Sequence, residues 1–157
     1  MVMTSGGPDG PIHPDFLRGL ARWRAGDYQG AAVCFRKAEG AADRRHRQRH
    51  RYASFHGLAL VHLGDPGGLA LCRGAAAVDE LDVVLLRNLA LAELRAGHRR
   101  RALAALQRGL AVDPREPELL HLRRSLGTRR RPVLGFLGRD HPLNRLLGWA
   151  TYRRRAG

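Results

Sequence analysis

The chain has 157 residues and a formal net charge of +14, from 28 basic and 14 acidic residues. This length suffices for one domain with a continuous hydrophobic core. The sequence contains no run of 18 apolar residues, so we expect no membrane-spanning helix. The charge is uneven, because residues 43–51 and 123–157 together carry +13 of it and residues 52–122 are neutral. We therefore expect a nearly neutral folded body with basic segments attached.

The first eleven residues are rich in glycine and proline and contain no apolar run. They predict a mobile leader over residues 1–11 that is neither a helix nor a secretion signal. The expected location is therefore the cytoplasm, where Cys34 and Cys72 should be reduced and packed.

Three glycines close three similar helical stretches. They are Gly26, Gly64 and Gly97, separated by 38 and 33 residues, and a small residue precedes each by seven positions: Gly19, Gly57 and Ala90. Glycine ends a helix where the backbone must turn left-handed. A unit that recurs at this spacing predicts helical hairpins that stack on one another.

The second half of each unit follows the same pattern with one exception. The first and third units have a small residue and then a large apolar one after the glycine: Ala31 and Phe35, Ala102 and Leu106. Small residues let two helices approach closely, and large ones fill the space between units. The second unit has Leu69 and Arg73 at these positions, so it is degenerate.

This pattern resembles the tetratricopeptide repeat, a helix–turn–helix unit of about 34 residues. The resemblance covers roughly residues 12–117. It implies an all-α, right-handed solenoid of three hairpins, at about residues 12–45, 50–82 and 83–116. A capping helix then ends near residue 127, and a basic amphipathic tail occupies residues 128–157.

In that family the first helices of the units line a concave groove that binds a partner. The resemblance places twelve residues there: Phe16, Leu20, Trp23, Arg24, Arg51, Leu58, Val61, His62, Arg87, Leu91, Leu94 and Arg95. These positions mix apolar residues with arginines and include no carboxylate, which suits a peptide or protein with acidic groups. For any single residue, core packing or solvation is the alternative. The implied function is a scaffold or adaptor in a bacterial cytoplasm.

The C-terminal tail contains Pro-Val-Leu-Gly-Phe-Leu and then Arg-Asp-His-Pro-Leu-Asn. It is similar to a tail, of unknown role, on some small bacterial repeat proteins. Three roles stay open: covering the open end of the solenoid, docking a partner through Phe136, Leu146 and Trp149, or lying on an anionic membrane surface.

Nucleic acid is an alternative partner. Arginine runs at residues 44–51, 129–131 and 153–155 would neutralise phosphates in a salt-dependent way. No aromatic residue interleaves the first two runs, so base stacking is not expected.

Catalytic and metal-binding patterns are missing from the sequence. We find no serine on a strained glycine turn, no phosphate-binding glycine loop and no paired carboxylates, so we expect neither an enzyme nor a cofactor. His46 and His50 are four residues apart, a spacing that binds metal on a helix face. Arginines surround both histidines, and we expect a solvated basic face instead.

Overall fold

The computed structural model describes residues 11–43, 46 and 48–126, which form seven α-helices and no strand. The helices are α1 (Pro14–Arg24), α2 (Tyr28–Ala41), α3 (Gln48–His62), α4 (Gly67–Val78), α5 (Val83–Arg95), α6 (Arg99–Val112) and α7 (Pro117–Leu126). The all-α prediction is confirmed for these residues. The expected leader, except for residue 11, and the tail lie outside them.

The helices pack in chain order. α1 contacts α2, α3 contacts α4 and α5 contacts α6, while α2–α3, α4–α5 and α3–α5 contacts join these pairs. α1 also reaches α3, because the ring of Phe16 lies 4.7 Å from that of Tyr52 and 5.2 Å from that of Phe55. The first helices of the three pairs therefore contact one another in sequence, which is compatible with a helical repeat.

The same glycine turn ends each first helix. Gly26, Gly64 and Gly97 have φ angles of 78°, 81° and 80°. The amide of the next residue donates to a carbonyl five residues back: Asp27 to Arg22 at 3.0 Å, Asp65 to Leu60 at 2.9 Å, and His98 to Glu93 at 2.8 Å. These bonds satisfy carbonyls that a helix end would otherwise leave unpaired. The predicted left-handed backbone at all three glycines is confirmed.

Replacing Gly26 by alanine is expected to lower the free energy of unfolding by about 1 kcal/mol. A side chain is strained at this φ even though a Cβ would meet no atom within 4 Å. Gly40→Ala is the matched control, because Gly40 lies inside α2 with equal space and no positive φ. It should raise the same free energy by about 0.5–1 kcal/mol. Urea titration followed by circular dichroism measures both, and equal effects would contradict the strained turn.

In the second pair, α3 and α4 approach each other through glycine. A Cβ on Gly68 would overlap the carbonyl oxygen of Gly57 and lie 2.7 Å from the amide nitrogen of Val61. One turn further along α4, Cys72 is fully buried, and its sulfur lies 3.0 Å from the position that a Cβ on Gly57 would take. Only two residues without side chains permit this distance between helix backbones.

This close approach explains why the second repeat looks degenerate. Gly68 and Cys72 follow Gly64 by four and eight residues, whereas the small and large residues of the other units follow their glycines by five and nine. The buried positions at the start of α4 thus come one residue earlier, whereas Ala76, twelve residues after Gly64, is buried in phase with Ala38 and Gly109. Leu69 is half-buried and Arg73 is exposed. Gly68 and Cys72 therefore make the packing contacts that the spacing predicts for Leu69 and Arg73.

Gly68→Ala is expected to lower the free energy of unfolding by about 2 kcal/mol or more, because the methyl group meets backbone atoms that have no rotamer in which to move away. Gly74→Ala, on the exposed side of the same helix, meets nothing within 4 Å and should be neutral or stabilising. Thermal unfolding of both variants gives the comparison. Similar melting temperatures would show that the α3–α4 contact is looser than described.

The largest buried cluster joins the first pair to α3: Phe16, Ala31, Ala32, Phe35, Ala38, Tyr52 and Ala59. The Tyr52 hydroxyl also accepts a hydrogen bond of 2.9 Å from the amide of His13. At the other end, Leu119 of α7 is fully buried, and a Cβ on Gly109 of α6 would overlap its side chain. α7 therefore packs against the third pair.

Candidate functional site

The twelve residues predicted to line a groove divide by burial. Phe16 is 8% exposed and Leu58 is 1% exposed, so both pack in the core and a partner would not touch them. The other ten, on α1, α3 and α5, are at least partly exposed, and we refer to them as the first-helix face. They are Leu20, Trp23, Arg24, Arg51, Val61, His62, Arg87, Leu91, Leu94 and Arg95.

The apolar members of the first-helix face are half-buried. Trp23 and Leu91 pack against the buried cluster of Leu58, Cys72 and Ala92. The sequence leaves Trp23 as either a core residue or a contact residue, and in the structure it is both. Part of its ring supports the core and part stays accessible.

Carboxylates from outside the predicted positions pair with two arginines of this face. The Nε of Arg51 donates to Asp82 at 2.7 Å, and Asp82 is buried at the start of α5, where it also caps the Val84 amide. Arg87 is paired with Glu118 and lies 3.8 Å from Glu116. These acids come from helix starts 29 or more positions away along the chain, so no local spacing reveals them.

Two arginines of the first-helix face stay without an acidic partner. Arg24 and Arg95 are exposed, and neither forms an ion pair with a described residue. Each sits in the last turn of its helix, where a cation interacts favourably with the carbonyl end. Their guanidinium groups keep the capacity to bind an anion.

Three rings connect the ends of α1, α2 and α3. The centroid of His62 lies 4.8 Å from that of Trp23 and 4.3 Å from that of Tyr28, and Trp23 meets Tyr28 edge-on at 4.9 Å. Burial of the imidazole and the nearby positive charge of Arg95 lower the pKa of His62. The lowered pKa keeps His62 neutral at pH 7, and its ring cluster joins α1, α2 and α3. Tyr28 is not among the predicted residues, because it belongs to a second helix and the predicted groove includes only first helices.

A buried carboxylate ties the second pair to the third. Glu93 of α5 is 3% exposed and accepts hydrogen bonds from Arg73 of α4, at 2.7 and 3.0 Å. It also contacts Nδ1 of His98, the residue before α6, at 2.8 Å. Burial alone would raise the pKa of Glu93, but the hydrogen bonds from Arg73 and His98 outweigh it and hold that pKa below its ordinary value of 4.5. The ionised group joins three helices.

Stability should depend on pH through Glu93. As pH falls below about 4.5, the unfolded chain takes up the proton before the folded one, so the contribution of Glu93 to stability is present above that pH and is lost below it. Glu93→Gln should lower the free energy of unfolding by about 1–3 kcal/mol at pH 7.

Urea unfolding at pH 7 and pH 4 tests this expectation. The decrease in the free energy of unfolding from pH 7 to pH 4 should be smaller in Glu93→Gln than in the wild type. Glu80→Gln is the control, because Glu80 is exposed in its ion pair with Arg108 and should leave the pH dependence unchanged. An unaltered pH dependence in Glu93→Gln would exclude this role.

Histidine and cysteine show no metal-binding arrangement among the described residues, where no group of three or more His, Cys, Asp or Glu is suitably placed. The premise that His46 and His50 share a helix face is wrong, because α3 begins at Gln48 and His46 accepts the amide hydrogen of Gln48 at 3.2 Å. Burial raises the pKa of the Cys72 thiol to about 12, so it stays protonated.

Several predicted sites fall outside the described residues. These are the docking residues Phe136, Leu146 and Trp149 and the arginine runs at residues 129–131 and 153–155. In the first arginine run, Arg51 is engaged by Asp82, and Arg49 donates to the carbonyl of Ala42 at 3.4 Å. No described helix has the length and apolar character needed to cross a membrane.

A cavity of about 290 Å³ lies between α5 and α7, within the compact unit that extends to Arg123. Its lining is Arg87, Leu91, Pro117, Glu118, His121 and Leu122. Two of these residues belong to the first-helix face, and the other four belong to α7. The sequence does not predict this pocket, because most of its wall comes from α7 and the predicted groove includes only first-helix residues of the three units.

No protein-family model and no curated protein sequence matches the chain. The seven-helix architecture is compatible with a helical repeat, and the tetratricopeptide resemblance stays a prediction from the residues quoted above.

Proposed function

We propose that this protein is an interaction module of stacked helical repeats, similar to tetratricopeptide repeats, whose first-helix face binds an acidic segment of a partner protein. One observation carries the proposal. Arg24 and Arg95 are exposed and form no ion pair with a described residue, and each directly follows a half-buried apolar residue in the chain, Trp23 and Leu94.

The chemistry of the face favours a peptide partner over a small substrate. Guanidinium groups bind carboxylates through two parallel hydrogen bonds. Beside them, Trp23, Leu91 and Leu94 offer apolar area that is already ordered by the core, so little conformational entropy is lost on binding. An extended or helical segment with alternating acidic and apolar residues suits both features.

The contacts among first helices support a shared face. α1 meets α3 through aromatic rings, and α3 meets α5 directly. In a right-handed solenoid these helices would line one inner surface, with α7 as the cap.

Selection from a random peptide library tests the proposal. We expect enrichment of peptides with aspartate or glutamate near large apolar residues. The double variant Arg24→Glu/Arg95→Glu should bind a selected peptide at least about tenfold more weakly, because each contact becomes repulsive. Isothermal titration calorimetry measures the change.

The matched control is Arg36→Glu/Lys37→Glu, which makes the same charge change at exposed positions of α2. Its affinity should stay within about twofold of the wild type, since general electrostatic steering is a weaker effect at a distance. Equal losses in both double variants would refute binding at the first-helix face.

A second candidate function is non-specific nucleic-acid binding. Helix α6 has four arginines and no acidic residue, and Arg100 and Arg101 are exposed at its start. This function requires a steep loss of affinity with salt and a loss on changing Arg129–Arg131. Fluorescence anisotropy with labelled single-stranded RNA at 50 and 200 mM salt distinguishes it from the peptide function. With several phosphate contacts, the RNA affinity should differ by about tenfold or more between these two salt concentrations.

A further inference from the structure

Arg87 is held in place by groups on two helices. Its side chain is 15% exposed, and its guanidinium carbon lies 5.9 Å from the centroid of the Phe55 ring on α3. The Oδ1 of Asn88 accepts from its Nε at 3.4 Å. A cation ordered over an aromatic ring is preorganised for an anion, because its side-chain entropy is already lost.

Arg87 has two acidic partners, Glu116 at 3.8 Å and Glu118, and Glu118 is the replaceable one. Glu118 lies in the first turn of α7, and its side chain is 65% exposed although it contacts Arg87 directly. An ion pair with so exposed a member contributes little net stability, since water solvates the carboxylate almost as well. An incoming carboxylate can therefore take the place of Glu118 on Arg87 without unfolding α7, while Glu116 stays 3.8 Å from the guanidinium.

The cavity beside this pair is apolar and small. Leu91, Pro117 and Leu122 provide its apolar wall, and its volume is about 290 Å³. Pockets for whole drug-sized ligands or cofactors run from roughly 300 to 1,000 Å³, so this one fits a single large side chain better than a cofactor.

We propose that Arg87 and this cavity form a receptor for a carboxylate joined to a large apolar side chain, and that Glu118 occupies the carboxylate position until such a group displaces it. The inference deepens the proposed peptide-binding function and rests on it. It names one contact of the partner and makes α7 an internal competitor for that contact.

Two small probes of equal size test the charge requirement. N-acetyl-tryptophan has a carboxylate and an indole ring, and N-acetyl-tryptophanamide replaces the carboxylate with a neutral amide. We expect the acid to bind with a dissociation constant on the order of 1 mM, and the amide at least about tenfold more weakly. Two-dimensional NMR of the full-length, ¹⁵N-labelled chain measures both and should show shifts at Leu91 and His121.

Variants test the competition by Glu118. Glu118→Gln should tighten binding of the acid about two- to fivefold, because the exposed ion pair no longer competes. Glu80→Gln removes an equally exposed carboxylate, 71% accessible, at a distance from the cavity and should change nothing. Arg87→Met keeps the apolar stem over Phe55 and should abolish the difference between acid and amide.

Four outcomes of these experiments would overturn the inference. Equal binding of acid and amide, no binding of either, shifts confined to residues away from the cavity, or unchanged affinity in Glu118→Gln would each do so. The proposed function is judged separately, since it depends on peptide binding through Arg24 and Arg95. Loss of probe binding with intact dependence on those two arginines refutes only the Arg87 receptor.

Discussion

The left-handed turn at three glycines is the constraint on which the rest of the structure depends. At Gly26, Gly64 and Gly97 the same pair of backbone hydrogen bonds ends a first helix and redirects the chain by the same geometry. Because the turn repeats, each second helix returns along its first helix, and α1, α3 and α5 come into contact with one another.

Close packing then decides the fine register of the units. Phe35 fills the space beside Gly19 in the first pair, whereas Gly57 and Gly68 bring two backbones together in the second. In the second pair the closely packed positions therefore come one residue earlier after the glycine, at Gly68 and Cys72, than Ala31 and Phe35 do in the first. Repeat proteins tolerate such differences because each unit needs to fit only its neighbours.

Arginine serves two purposes on this scaffold. Arg51 and Arg73 neutralise Asp82 and Glu93, which would be costly to bury without a cation. These arginines tie helices together and are poor candidates for binding a partner. Arg24 and Arg95, together with Arg87 and its exposed acid, are the arginines that we propose for recognition. Total positive charge therefore says little about binding until the buried acids are located.

The sequence by itself determined the helical class, the three turns and the buried residues that follow Gly26 and Gly97, because glycine backbone freedom and apolar periodicity act over a few residues. The tertiary structure alone decided which arginines are paired, that Phe16 and Leu58 are core, and that Gly68 replaces Leu69 at the helix crossing. It also assembled the cavity beside Arg87 from two helices. These features depend on contacts between residues far apart in the chain, and single-sequence spacing carries no record of them.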